Sequence, residues 1–373
     1  MSKKVMIDLR FLKNLNYGFG QLSLNYGNYI QNNPDKIADL DITLLVRPEY
    51  KGKFGNHVKY LTTNSLYKVF PFLMPRYDVW HSITQTARYF SIDESCSKVM
   101  TIHDLNFLYG NSPKKSKKRL LRLQKNVDMC SLITVISNFT EQEVLNNLTI
   151  KVPLIVNHVG LPDITKDADN KPQFIKNDDR KFFFAIGQVA EKKNFHVLVD
   201  MMELMPEYDL YICGQISSNV GYSTMISENI EKKQLKNVFL TGTISAEEKV
   251  WMYKHCYAFV FPSKLEGFGI PVVDAMSFGK PVFSSQMTSL KEIGDKYAYF
   301  WDNFEPHYMK HVIENNINAF YENKQLIEDE KKYAKSFSIE KHFENYLSIY
   351  RGLKPKKKSL LKTLKNYYTF LRY

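Results

Sequence analysis

Short runs of aliphatic, β-branched and aromatic residues recur along the whole chain, and each is followed by an amphipathic stretch. That alternation fits βαβ units built around a parallel sheet. In the first half, strands are expected near Val5–Leu9, Ile42–Val46, Val58–Leu61, Val79–His81, Val99–Ile102, Leu132–Val135 and Leu154–Val156. In the second half they are expected near Phe182–Ile186, Leu210–Cys213, Val238–Leu240, Ala258–Phe261 and Pro281–Ser284. At 373 residues, 44% of them apolar, the chain exceeds one ordinary core, and two domains follow. The expected division is a first domain over 1–162, a polar, proline-bearing linker over 163–180 and a second domain over 181–335. A helix over 336–353 and a basic tail over 354–373 complete it.

The densest motif is Glu266-Gly267-Phe268-Gly269-Ile270-Pro271-Val272-Val273-Asp274, between the run Ala258–Phe261 and a helix-like run from Pro271 to Phe278. Gly267 and Gly269 allow a sharp turn and close backbone approach to a ligand. Pro271 suits the first helical position, because its missing N–H would have no intrahelical partner there. The free N–H groups and positive dipole of such a helix end form an anion site. Open α/β sheets bind ligands where their strands end. Glu266 and Asp274 would then bracket a phosphate and accept hydrogen bonds from sugar hydroxyls. A glycosidase pair is set aside, because its carboxyl groups converge to roughly 5 to 9.5 Å, whereas eight helical positions span about 12 Å.

Glu266 to Asp274 resembles the E-x7-E motif of the retaining family 4 glycosyltransferases, with Asp in place of the second Glu. The resemblance implies two Rossmann-like α/β domains with parallel sheets facing a central cleft, the GT-B fold. It gives Glu266 the hydroxyls of the donor sugar and Asp274 the ribose. A second segment, Phe182 to Asn194, resembles the family's G-R-x4-K motif, whose cations neutralise the donor diphosphate. There Gly187 forms the turn, Lys193 matches the Lys, and Gln188 stands where Arg is usual, with Lys192 as a possible substitute. Both lysines read as a helix start, where cations are unfavourable unless an anion faces them. A third, Thr101-Ile102-His103-Asp104-Leu105, resembles the segment whose His lines the sugar site, and Asp104 could hold the imidazole tautomer. The weakest, Tyr17-Gly18-Phe19-Gly20-Gln21, precedes a helix from about Leu22 to Ile30. It is either a diphosphate-approaching loop of Gly18 and Gly20 or a plain turn.

The formal charge of +12 is concentrated in two places. Lys114, Lys115, Lys117, Lys118, Arg119, Arg122 and Lys125 have no acid between them, and Ser112-Pro113 makes a good helix start for them. The tail carries Lys356, Lys357, Lys358, Lys362 and Lys365 opposite an apolar stripe that includes Leu360, Leu364 and Leu371. Both read as basic amphipathic helices suited to an anionic membrane surface. Neither has a recognisable nucleic-acid module around it. No run approaches a membrane-spanning length. The start Met1 to Val5 leads straight into a strand, so no signal peptide is expected. Four scattered cysteines point to a reducing cytoplasm.

The resulting expectation is a hexosyltransferase that uses a nucleotide-sugar donor and a membrane-linked glycan or lipid acceptor. It would lie in the cytoplasm, peripheral on the inner face of the membrane, in a pathway such as bacterial O-antigen or capsule synthesis. The resemblance implies no metal and no resident cofactor; the D-x-D triplets at Asp39 and Asp167 read as chance. The rivals are an inactive nucleotide-binding scaffold, suggested by Gln188 and Asp274, and a nucleotide-sugar epimerase, which gives no reason for the basic helices.

Overall fold

A computed structural model describes residues 2–13, 15, 18–86, 89–176, 179–216 and 220–354. They form two compact units. One comprises the chain up to Leu161 together with the helix that starts at Ile339, and the other comprises Pro162–Ser338.

The first unit is built on seven parallel strands: β1 (Lys3–Asp8), β2 (Leu40–Val46), β3 (Lys59–Thr62), β4 (Val79–Ser82), β5 (Ser97–Ile102), β6 (Leu132–Val135) and β7 (Leu154–Val156). Their order is β3-β2-β1-β4-β5-β6-β7, with Val5 of β1 paired to Ile42 on one side and Val79 on the other. Both faces are covered, so β1 distributes its residues with period two. Val5 and Ile7 join a core with Tyr26, Ile30 and Phe343, whereas Met6 joins one with Trp80, Leu123 and Val127.

The second unit has six parallel strands: β8 (Phe182–Ile186), β9 (Asp209–Cys213), β10 (Val238–Gly242), β11 (Ala258–Phe261), β12 (Val282–Ser285) and β13 (Ala298–Trp301). Their order is β10-β9-β8-β11-β12-β13, the doubly wound Rossmann arrangement. The expected parallel α/β architecture is therefore present in both units. The strand β13 was not expected from the sequence. Residues 163–180 lie in this second unit, where Asn170 N–H bonds Glu247 O at 3.2 Å, Phe174 packs on Tyr211 and Ile175 is buried.

In each sheet the strand order reverses beside the first strand, between β1 and β4 and again between β8 and β11. Connections that leave these neighbours run to opposite faces, so a crevice opens at their carboxyl ends. Those ends carry Asp8 and Ser82 in one sheet and Ile186 and Phe261 in the other.

The helix Ile339–Gly352 is tied into the first unit by buried polar contacts as well as by packing. Tyr346 Oη lies 2.8 Å from Thr101 Oγ1 and 2.9 Å from Thr134 Oγ1, while Tyr350 Oη lies 2.6 Å from His81 Nδ1. His81 makes its other ring contact with Thr101 at 2.9 Å and is fully buried. Tyr350→Phe leaves Nδ1 unsatisfied in a dry site, and urea titration is expected to show a loss of about 1–3 kcal/mol with an unchanged m-value.

Candidate functional site

The crevice of the second sheet is built from the segments that follow β8, β11 and β12. After β8 the backbone turns at Gly187, φ +151°, close against Gly214, φ +138°. A Cβ on Gly214 would sit 2.0 Å from Gly187 O, so only glycine fits this crossing. Residues Glu191–Lys193 then form one 3-10 turn, ended by Asn194 in the left-handed region at φ 59°. The α-helix that follows starts only at His196. Lys192 and Lys193 therefore do not open a helix as the sequence suggested, and their charges do not oppose a helix dipole.

Lys193 is 9% exposed and folds back across the crevice to bond Glu266 Oε1. Its ammonium also lies 4.8 Å from the centroid of the Phe261 ring. Ser263 Oγ donates to the same carboxylate oxygen at 2.7 Å, and the Glu266 N–H reaches Thr288 Oγ1 at 3.1 Å. Ser289 Oγ donates to Phe268 O at 2.8 Å and to Glu266 O at 3.2 Å, which holds the glycine-rich turn in place. Lys193 and Glu266, 73 positions apart, are thus the two predicted residues brought into direct contact. Gly187 lies beside them, 3.1 Å from Lys193 Cε to an added Cβ. Gln188 and Lys192 are exposed.

The helix after β11 runs over Ile270–Ser277, one residue earlier than expected, with Gly269 as its N-cap at φ +115°. Gly269 is the glycine of this pair that takes a positive φ; Gly267 does not. A Cβ on Gly269 would also come within 2.8 Å of Leu290. Asp274 lies in the second turn of the helix, 8% exposed, with Lys249 Nζ 3.9 Å from its Oδ2. Burial pushes its carboxyl up to about 6, and Lys249 pulls only weakly the other way. Ser263, Thr288, Ser289 and Lys249 were not among the residues singled out from sequence. A hydroxyl soon after β11 was a usable signal for Ser263, whereas nothing local marks the other three.

In the first unit, His103 follows β5 and is 8% exposed. Its Nε2 donates to Ile83 O at 2.8 Å, since a carbonyl can only accept, so Nδ1 is the acceptor nitrogen. Desolvation lowers its pKa, so the ring is neutral at pH 7. The tautomer is held by Ile83 and not by Asp104, whose Oδ1 accepts from Asn106 N–H at 3.0 Å. Gly18 and Gly20 lie within the helix Gly18–Asn32, which starts four residues earlier than expected, so both are helical and belong to neither a loop nor a plain turn. Phe19, between them, packs edge-on against His103 at 4.9 Å.

The basic helix spans Pro113–Met129 and buries Ser116, Leu123 and Val127. Lys114, Lys115, Lys118, Arg119 and Arg122 are all exposed, with Leu121 among them at 57%. The tail lysines Lys356, Lys357, Lys358, Lys362 and Lys365 lie outside the described residues. Both D-x-D triplets are engaged in surface ion pairs: Asp39 with Arg351, Asp41 with Lys59, and Asp169 with Lys254. Among the described residues no helix is long and apolar enough to cross a membrane.

Residues 166–337, nearly the whole second unit, match the family described as Glycosyl transferases group 1. The chain is 23% identical over 314 residues to the O-antigen chain mannosyltransferase RfbU of Salmonella typhimurium, covering 78% of this chain and 84% of that one. It is similar in fold to the sucrose-phosphate synthase of Thermosynechococcus elongatus, with a TM-score of 0.72, 14% identity and coverage of 94% and 99%. Anabaena HepE, solved in complex with UDP-glucose, gives a TM-score of 0.70 at 15% identity, covering 94% of this chain and all of that one.

The raised pKa of Asp274 has a definite consequence for stability. Its folded value exceeds the unfolded 3.8, so the folded state holds the proton more tightly, and stability falls as pH rises from about 4 to about 6. Asp274→Asn removes this burden. Chemical denaturation is expected to show the variant more stable than the parent by up to about 3 kcal/mol at pH 7.5, and equal to it below pH 4.

Proposed function

We propose that this chain, a member of the GT-B-fold glycosyltransferase superfamily, is a retaining family 4 enzyme. It moves a hexose from a nucleotide sugar to a membrane-linked glycan or lipid acceptor in bacterial surface polysaccharide synthesis. The observation that carries this reading is the Lys193–Glu266 pair, set at the carboxyl ends of β8 and β11 where the strand order reverses. Bond cleavage leaves a nucleoside diphosphate and a cation-like sugar, so the chemistry needs positive charge at the leaving group and oriented acceptors at the sugar. Lys193 and the N–H groups at the start of the helix, from Phe268 to Ile270, supply the first. Glu266 supplies the second, because Lys193 and Ser263 both engage Oε1 and leave Oε2 for a sugar hydroxyl. Donor binding recruits the lysine to the diphosphate and exchanges one counter-ion for another. Asp274 holds the ribose, and His103, neutral with Nδ1 as acceptor, is suited to take a hydrogen bond from a sugar hydroxyl. The similarity to RfbU, an O-antigen chain mannosyltransferase, supports the polysaccharide setting and a mannose-type donor.

Screening nucleotide sugars by thermal shift identifies the donor, since the specific one raises Tm by mass action. With that donor at saturation, Lys193→Ala and Glu266→Gln are each expected to lower kcat by about 100- to 1,000-fold. Parent-like rates in both would remove the site assignment. A wild-type chain that binds nucleoside diphosphates without turnover would establish the scaffold reading instead.

The exposed cations of the helix Pro113–Met129, with Leu121 among them, support docking on an anionic membrane from the cytoplasmic side. Each cation near such a surface contributes about 1 kcal/mol. The double reversal Lys118→Glu with Arg122→Glu is expected to cut sedimentation with phosphatidylglycerol-containing vesicles at least tenfold and to leave donor hydrolysis unchanged. Equal sedimentation would refute the docking face.

A further inference from the structure

The first unit contains a second crevice at its own strand reversal. A cavity of about 700 Å³ lies beyond the carboxyl ends of β1 to β4, and its wall carries Arg10, Arg47, Thr63, Ser65 and Thr86. Two arginines and three hydroxyl-bearing residues thus line one space, with no acid among the described residues that line it. Phe11, Pro48 and Tyr89 supply apolar walls.

Arg10 is the built part of this site. Its side chain is 9% exposed, ion-paired through Nε to the fully buried Asp8 at 3.3 Å, and bonded through Nη2 to Thr86 O at 2.6 Å. The guanidinium lies 5.0 Å from the centroid of the Phe11 ring and 5.3 Å from that of Tyr89. Its Nη1 is buried without a hydrogen-bond partner among the described residues. A fixed, desolvated guanidinium with an unused donor is the arrangement that recognises phosphate oxygens. Arg47, partly exposed and paired with Glu49 at 2.8 Å, stands on the same wall and can turn towards an anion.

A second observation gives the kind of molecule. Ser65 on the cavity wall is also the first residue of the helix Ser65–Val69, and the chain from there exposes an unusual amount of apolar surface. Leu66, Val69, Phe70, Phe72 and Leu73 are between 39% and 58% exposed within eight positions. A donor-rich pocket that opens beside an exposed aliphatic and aromatic strip is complementary to an amphiphile with an anionic head.

We propose that this cavity holds the phosphate or diphosphate head of a lipid-linked acceptor, with the lipid chain on the strip from Leu66 to Leu73. Arg10 and Arg47 grip the phosphate oxygens, and Thr63, Ser65 and Thr86 donate around them. The proposal rests on the transferase reading for the meaning of the ligand, but its test needs no turnover.

Calorimetry with the full chain compares farnesyl diphosphate, farnesyl monophosphate, farnesol, inorganic pyrophosphate and a nucleoside diphosphate. The farnesyl phosphates are expected to bind at least tenfold more tightly than farnesol or pyrophosphate. Arg47→Ala, at a partly exposed position, is expected to weaken farnesyl diphosphate at least tenfold and to leave the nucleoside diphosphate unaffected. Arg10→Lys is expected to do the same, and circular dichroism checks that it folds. Phe72→Ser with Leu73→Ser should weaken the farnesyl phosphates but not pyrophosphate. If pyrophosphate binds as tightly as the farnesyl phosphates, the site serves a free anion and the lipid assignment fails. If Arg47→Ala binds farnesyl diphosphate like the parent, or Lys193→Ala abolishes that binding, the phosphate sits elsewhere and the site assignment fails. Loss of sugar transfer with lipid-phosphate binding intact would count against the enzyme and not against this pocket.

Discussion

The reversal of strand order in a parallel sheet is the constraint from which the chemistry of this chain follows. Right-handed crossovers send the connections after β8 and β11 to opposite faces, so their first residues separate and cannot pack on one another. In this protein the gap is spanned by a lysine from one loop and a glutamate from the other. Glycines shape the surroundings of that span: Gly187 and Gly214 let the loops after β8 and β9 cross at backbone distance, and Gly269 lets the next helix begin directly after the turn.

A nearly buried ion pair of this kind is poor evidence for stability, since removing both charges from water costs much of what their attraction returns. Its value lies in what it makes available. On the proposed reading, Lys193 can exchange Glu266 for an incoming diphosphate, while Ser263 and a sugar hydroxyl remain to satisfy the carboxylate. Ser263, Thr288 and Ser289 meanwhile keep the carboxylate and its turn in position. The buried Asp274 works differently: it has only a distant lysine to offset desolvation, so its charge is costly until a hydroxyl or another donor reaches it.

Patterns confined to a few neighbouring residues were legible in the chain, and contacts across it were not. Continuous apolar runs identified β1 to β12, because strands buried on both faces need no alternation. The strand β13 escaped, although Tyr299, Phe300 and Trp301 are strand formers, because nothing in so short an aromatic run shows that it pairs with β12. The turn at Glu266 was readable from its glycines, but the partner of Glu266 was not, since Lys193 is 73 positions away. Apart from this distance effect, the lysines fail as a helix start for a local reason, since Asn194 in the left-handed region ends the turn before the helix begins. His103 shows the distance effect once more: a neighbouring Asp looked like the group that orients the ring, and the carbonyl of Ile83, from the loop after the adjacent strand, does so.

The two sheets answer the same geometric problem with opposite electrical balances. In the second, the lysine that enters the crevice meets a glutamate from across it, and the charges cancel inside the space. In the first, Arg10 meets Asp8 behind it on the same strand end and only a carbonyl, that of Thr86, across the reversal. Its positive charge is therefore compensated from the wall, while the cavity keeps the donors and gains a second cation in Arg47. Burial also raises the pKa of Asp8, which weakens the compensation further as pH falls. A crevice neutralised from within is selective, because a ligand has to displace the internal partner. One neutralised from behind is open to any anion that fits, and its selectivity has to come from the apolar surface at its mouth.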